Sequence, residues 1–137
     1  MRCDRCWERM PRRTVVVYTK VGELTVENRS LVVRICTICS VLWLTEEQAR
    51  RVDQQAVLVA FRDAQQVTGA MVRGARRLLG FTQVAFSEAL GTTPESISRW
   101  ERGERESPHY LRDQILRLAL ERLAPRAARA RDIALRS

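Results

Sequence analysis

Histidine is almost missing from this 137-residue chain, and lysine with it: His109 and Lys20 are single instances, and the other 23 basic residues are arginines. A lone histidine without a paired nucleophile gives general acid–base catalysis little footing. His109 follows Ser107-Pro108 at a helix start, where an exposed or capping role is expected, and no enzymatic activity is expected of the chain. Long apolar runs are also missing. Stretches such as Val15-Val16-Val17 and Val41-Leu42-Trp43-Leu44 fall far short of the roughly 20 residues that span a bilayer. The opening MRCDRCWERM has no apolar core of the kind a signal peptide needs. A cytoplasmic chain with reduced thiols is therefore the expectation. Cysteine is scarce too, and its placement is the most informative feature of the sequence.

The four cysteines stand in two matching pairs, Cys3-Asp4-Arg5-Cys6 and Cys36-Thr37-Ile38-Cys39. Two C-x2-C pairs about 30 residues apart are a strong signature of a structural zinc site. Each pair suits a tight knuckle with both sulfurs aimed at one ion, so Cys3, Cys6, Cys36 and Cys39 are the expected ligands of one Zn2+. Four thiolates make a closed tetrahedron with no position left for a substrate. A thioredoxin-like redox role for a C-x2-C would want a βαβ setting, which this segment lacks. Trp7 and Trp43, beside the pairs, are expected to cover the metal.

Residues 1–44 read as strands and turns, with strands at Thr14–Thr19, Leu24–Glu27 and Leu31–Ile35, and turn chemistry at Gly22 and Asn28-Arg29-Ser30. So short a segment cannot bury a self-sufficient core, which makes a metal staple physically reasonable. Residues 45–67 read as a helix, within a 45–68 connecting segment. Thr45 and Gln48 form a capping box, Glu46 and Glu47 sit in the first turn, and Ala49, Val52, Ala56, Val59, Ala60 and Val67 make an apolar stripe. Beyond Gly69 the pattern is helical throughout: Ala70–Leu79, then Thr82–Leu90 stopped at Gly91, then Thr93–Arg102 with Pro94 at its first position and Gly103 past its end, then about Pro108–Leu123. Pro125 interrupts the last, and residues 126–137 form an Ala/Arg-rich tail. The expected fold class is thus a two-module α+β chain: a small strand-rich zinc domain over 1–44, the 45–68 connector, and an all-α domain over 69–125.

The net charge is +8 and is uneven. Residues 1–67 carry 11 basic and 8 acidic side chains, residues 68–137 carry 13 and 8, and four zinc-bound thiolates would subtract two more charges from the first half. The basic surplus lies in the second half, and an anionic partner, nucleic acid first, would suit it.

The stretch GFTQVAFSEALGTTPESISRWERGERESP resembles the helix-turn-helix of the XRE/Cro-repressor family, through Thr82-Gln83, Ala85, Gly91, Ile97 and Ser98-Arg99-Trp100-Glu101 with Gly103. The whole chain, with its four-cysteine array ahead of that motif, is similar to the MqsA/YgiT-type antitoxins. The resemblance implies a zinc domain that binds a toxin, usually an mRNA-cleaving ribonuclease. It also implies a homodimeric second domain that represses its own operon at a palindromic operator on double-stranded DNA. In that family an Asn and an Arg four residues apart read bases. Arg99 falls on the Arg position, and Glu95 stands where the Asn would be. A free-standing zinc-containing XRE-family regulator with no toxin partner is the alternative.

Helix exposure selects Thr93, Glu95, Ser96 and Arg99 as outward residues of the recognition helix, with Ile97 and Trp100 inward. Arg99 suits guanine O6 and N7. Glu95 can accept from cytosine N4, or can orient Arg99 one turn away, which is the preferred reading. Gln83 suits a phosphate oxygen at the start of the preceding helix, with Arg102 and Arg105 as flanking phosphate contacts; for Arg73, Arg76 and Arg77 a solvated face is the preferred reading over a phosphate contact.

Overall fold

The structure, a computed structural model, describes residues 1–122; the expectation for the tail at 126–137 lies outside the described residues. Three antiparallel strands, β1 (Arg12–Val21), β2 (Leu24–Ile35) and β3 (Leu42–Trp43), form a sheet in sequence order. Four helices follow: α1 (Glu46–Asp63), α2 (Gly69–Leu78), α3 (Gln83–Leu90) and α4 (Pro94–Glu101). The chain is helical again over 111–122. The α+β class expected from the sequence is the one observed.

Asn28-Arg29-Ser30 does not turn the chain. β2 runs straight through it, and the ladder to β1 slips there, with Val15 opposite Leu31 and Val17 opposite Asn28. One extra residue on β2 makes a bulge. The Asn28 side chain accepts from the Ser30 backbone N–H (3.1 Å), so turn chemistry is used locally without ending the strand. The true reversal is at Gly22-Glu23, where Gly22 has φ +62°.

That hairpin tip lies against α2. A Cβ on Gly22 would come within 2.6 Å of the Met71 backbone N, and one on Gly74 within 2.8 Å of the Gly22 backbone N. Glycine at both positions is what lets strand and helix backbones touch. The Thr68 hydroxyl, N-cap of α2, also donates to Glu23 (2.9 Å).

α1 starts as expected. Thr45 and Gln48 exchange both capping-box bonds, and the Gln48 amide goes on to donate to the Val32 carbonyl of β2 (2.8 Å). The helix stops at Asp63 rather than at 67, because Ala64 turns extended and Thr68 begins the next helix. Its buried residues are Val52, Gln54, Ala56, Val57, Ala60 and Phe61. Val57 and Phe61, absent from the expected stripe, are its most deeply buried side chains.

The description of 45–68 as a connector needs correction. α1 supplies Val57 and Phe61 to one continuous core that also takes Val21 and Val26 from the sheet, Met71 and Val72 from α2, Phe86 from α3, Ile97 and Trp100 from α4, and Leu111 and Ile115. The sheet's inner face and the helices share one interior. A second, smaller cluster stands apart from it: Cys3, Met10 and Cys36, flanked by Cys6 and Cys39.

Candidate metal centre and DNA-reading surface

The two cysteine pairs fold alike. In each, the first cysteine's N–H bonds to the carbonyl five residues on (Cys3 to Glu8, 2.8 Å; Cys36 to Val41, 3.0 Å). In each, the residue after the second cysteine donates back to the first cysteine's carbonyl at 2.9 Å. That residue is left-handed both times, Trp7 at φ 65° and Ser40 at φ 57°. The sequence repeat is thus a structural repeat, and it brings the four sulfurs within 4.8 Å of one another.

Cys6 and Cys36 Sγ lie 3.3 Å apart, and all four thiols are free. A tetrahedral Zn–S4 site with bonds of about 2.3 Å has S···S edges near 3.8 Å, so the cluster is of the right size. The Cys39 N–H donates to Cys36 Sγ (3.3 Å), a bond that stabilises a thiolate. The N–H groups of Cys39 and Ile38 hold the Cys36 thiol down at about 7. Cys6 feels the Glu8 backbone pulling the other way, but its contacts with Cys36, Cys39 and Cys3 together with burial push it up to about 12. Four such groups cannot all ionise side by side without a cation between them. Cys3, Cys6, Cys36 and Cys39 are therefore positioned to hold a metal ion, and their all-sulfur chemistry suits zinc in a closed, structural role.

The tryptophans do not cover this centre. Trp7 is 73% exposed and Trp43 45%. Neither tryptophan belongs to the cysteine cluster, and the packing residue sequence reasoning missed is Met10.

At the other module, α3 and α4 are joined at Gly91, left-handed with φ 69°. Thr82 caps α3 and Thr93 caps α4, each accepting from the N–H three residues on. Ile97 and Trp100 are buried as expected, which leaves Thr93, Glu95 and Arg99 exposed and Ser96 half-buried. The Thr93 hydroxyl also donates to Ser96 Oγ (3.0 Å), so both are engaged in the cap. Among the described residues no ion pair joins Glu95 to Arg99, contrary to the preferred reading of Glu95 as its orienting partner.

Gln83 and Arg76 are tied down by Glu101, a motif residue to which the sequence reading gave no role. The Glu101 carboxylate is fully buried. Its Oε1 accepts from Arg76 Nε at 2.5 Å and its Oε2 from Gln83 Nε2 at 2.8 Å, with Arg73 at 4.0 Å. Arg76 also donates to the Phe81 carbonyl (3.0 Å). Arg76 is thus a core cation joining α2 to α4, not a phosphate contact, because a buried carboxylate needs a close partner. Gln83 keeps one amide hydrogen for a partner outside. The available signal was the Glu of S-R-W-E-x-G, in register with the buried Ile97 on α4. Arg102 folds back on α4, donating to the Ser98 carbonyl (3.4 Å) and pairing with Glu104 (3.3 Å). Arg77 and Arg105 are exposed.

A helix-turn-helix family model matches residues 72–108, which is α2 to just past α4. No curated protein matches the sequence closely enough to stand as a relative. The chain therefore carries a DNA-binding helix-turn-helix of the transcription-regulator kind, joined to a four-cysteine cluster fit for a metal. No helix among the described residues is long and apolar enough to cross a membrane.

Proposed function

We propose that this protein is a non-enzymatic antitoxin and autorepressor: its helix-turn-helix, as a homodimer, reads a palindromic operator, and its zinc module captures a ribonuclease toxin. The observation that carries the DNA half is the outward face of α4. Arg99 and Glu95 project from it with no ion pair among the described residues, while Ile97 and Trp100 on the other side lock it to the core. An unpaired guanidinium fork suits guanine, and a free carboxylate suits cytosine N4, so a half-site containing both is the fitting target. A twofold dimer spaces such half-sites by about one helical turn, roughly 34 Å, or a multiple.

Support for the toxin half is the resemblance to MqsA/YgiT-type antitoxins and the exposed outer face of the sheet, where Val16, Tyr18 and Val32 meet solvent. An apolar patch on a metal-stapled sheet suits a protein partner. The test is co-expression with the product of the adjacent small gene. Recovery of a stable complex, with growth restored when this chain accompanies a toxic neighbour, is expected. A neighbour that is neither toxic nor retained would favour the free-standing regulator. Loss of sequence preference in Arg99→Ala, with random-DNA binding kept, tests the DNA half separately. The expected loss is about 5- to 150-fold, corresponding to about 1–3 kcal/mol for one bidentate base contact.

A further inference from the structure

The cysteine end carries aromatic and cationic surface that neither the core nor the metal cluster uses. Trp7 is 73% exposed, whereas Trp100 in the helix-turn-helix is 5% exposed. Trp7 is not on a loose loop. Its N–H bonds to the Cys3 carbonyl (2.9 Å), its own carbonyl accepts from the Arg2 guanidinium (3.2 Å), and the knuckle sets its left-handed φ. The indole is therefore presented on a rigid support.

Along this end of the chain the charge is one-sided. Arg2, Arg5, Arg9, Arg12 and Arg13 are all exposed, against only Asp4 and Glu8, and the second knuckle from Cys36 to Trp43 has no charged residue. Among the described residues none of these five arginines forms an ion pair, although Arg50, Arg62, Arg76 and Arg102 all do. Arg2 and Arg9 are bridged opposite each other across the first knuckle. Arg12 stands opposite Arg34, and Arg34 opposite Trp43, so a basic–basic–aromatic row crosses all three strands on one face. A metal on four thiolates would bring two negative charges, which still leaves a cationic excess.

Unpaired arginines beside a fixed, exposed indole fit a polyanion with flat faces to stack. An acidic protein could satisfy the arginines and bury the indole as well, and it is the alternative that the polyglutamate arm below separates; a duplex hides its base faces. We propose that the cysteine end is a second nucleic-acid surface, binding single strands without sequence preference, with Trp7 as a stacking platform and the arginines on phosphates. It goes beyond the operator reading by α4, and it uses different residues.

The test is fluorescence anisotropy of the zinc-loaded full chain with labelled dT15 at about 100 mM salt, alongside a random duplex. Trp7→Ala is expected to weaken dT15 binding by about fivefold or more and to leave the duplex unchanged, since one stacked base is worth at least that. Arg5→Ala/Arg9→Ala/Arg12→Ala is expected to weaken dT15 binding and flatten its salt dependence by about two phosphate contacts or more. Arg99→Ala is expected to leave dT15 affinity within twofold. Trp7→Phe keeps a stacking face and is expected to bind dT15 nearly as wild type, which separates stacking from any loss of the knuckle in Trp7→Ala. The proposal is overturned if the wild type does not bind dT15, or if dT15 binding depends on Arg99 and not on Trp7. Displacement of dT15 by polyglutamate at equal charge, with no effect of Trp7→Ala, would overturn it in favour of an acidic protein.

Discussion

Arg99 and Glu101 are two residues apart on one short helix and have opposite surroundings. Arg99 faces solvent, while the Glu101 carboxylate is closed off behind Arg76 and Gln83. Substituting Arg99 should therefore change DNA recognition and leave the melting temperature where it was. Substituting Arg76 should do the reverse. Arg76→Ala leaves a buried carboxylate without its main partner and is expected to cost about 3–5 kcal/mol in urea unfolding. Arg76→Lys is expected to recover only part of that, because Nε and Nη1 make two separate bonds that one ammonium cannot span alike. At the metal centre, protons compete with zinc for the thiolates. Apparent zinc affinity is expected to fall as pH drops from about 8 to about 6, read by chelator competition, with the Cys36 thiol near 7 ionising before those of Cys6 and Cys39. The four-cysteine cluster could be read directly from spacing. The exposure of Trp7 could not, because it depends on a backbone φ that only the folded knuckle sets.

Elements were legible wherever their ends carry chemistry. Thr45, Thr82 and Thr93 cap their helices as their side chains dictate, and Gly91 closes α3 in the left-handed conformation glycine allows. The β2 strand was less legible, since Asn-Arg-Ser has the composition of a turn and becomes a bulge only when β1 pairs across it. The hairpin tip has a sharper consequence. Gly74→Ala puts a methyl 2.8 Å from the Gly22 backbone, with no flexible side chain to give way. Its expected cost is about 1–3 kcal/mol in thermal or denaturant unfolding, although alanine is the better helix former in isolation. A neutral or stabilised Gly74→Ala would mean that the tip does not rest on α2.

The molecule as a whole has two interiors of unequal reach. The larger joins sheet, α1 and all the helices of the DNA-reading unit, and the smaller is the cysteine cluster. Removing zinc, or substituting Cys36→Ser, is expected to abolish metal binding and loosen the knuckles while the main thermal transition persists. A fragment starting at residue 68 loses Val21, Val26, Val57 and Phe61 from the core it must keep, and it is expected to melt without cooperativity. A stable, cooperative 68–137 fragment would refute the shared core. By itself the sequence determined which four cysteines cluster, the helix boundaries that are capped and the outward face of α4, because each follows from local spacing, side-chain chemistry or a period of 3.6 residues. The tertiary structure alone decided that α1 is core, that Glu101 binds Arg76 and Gln83, and that Gly22 rests on Gly74. Those contacts join residues 18 to 52 positions apart, and no local pattern encodes which distant surface will cover a side chain.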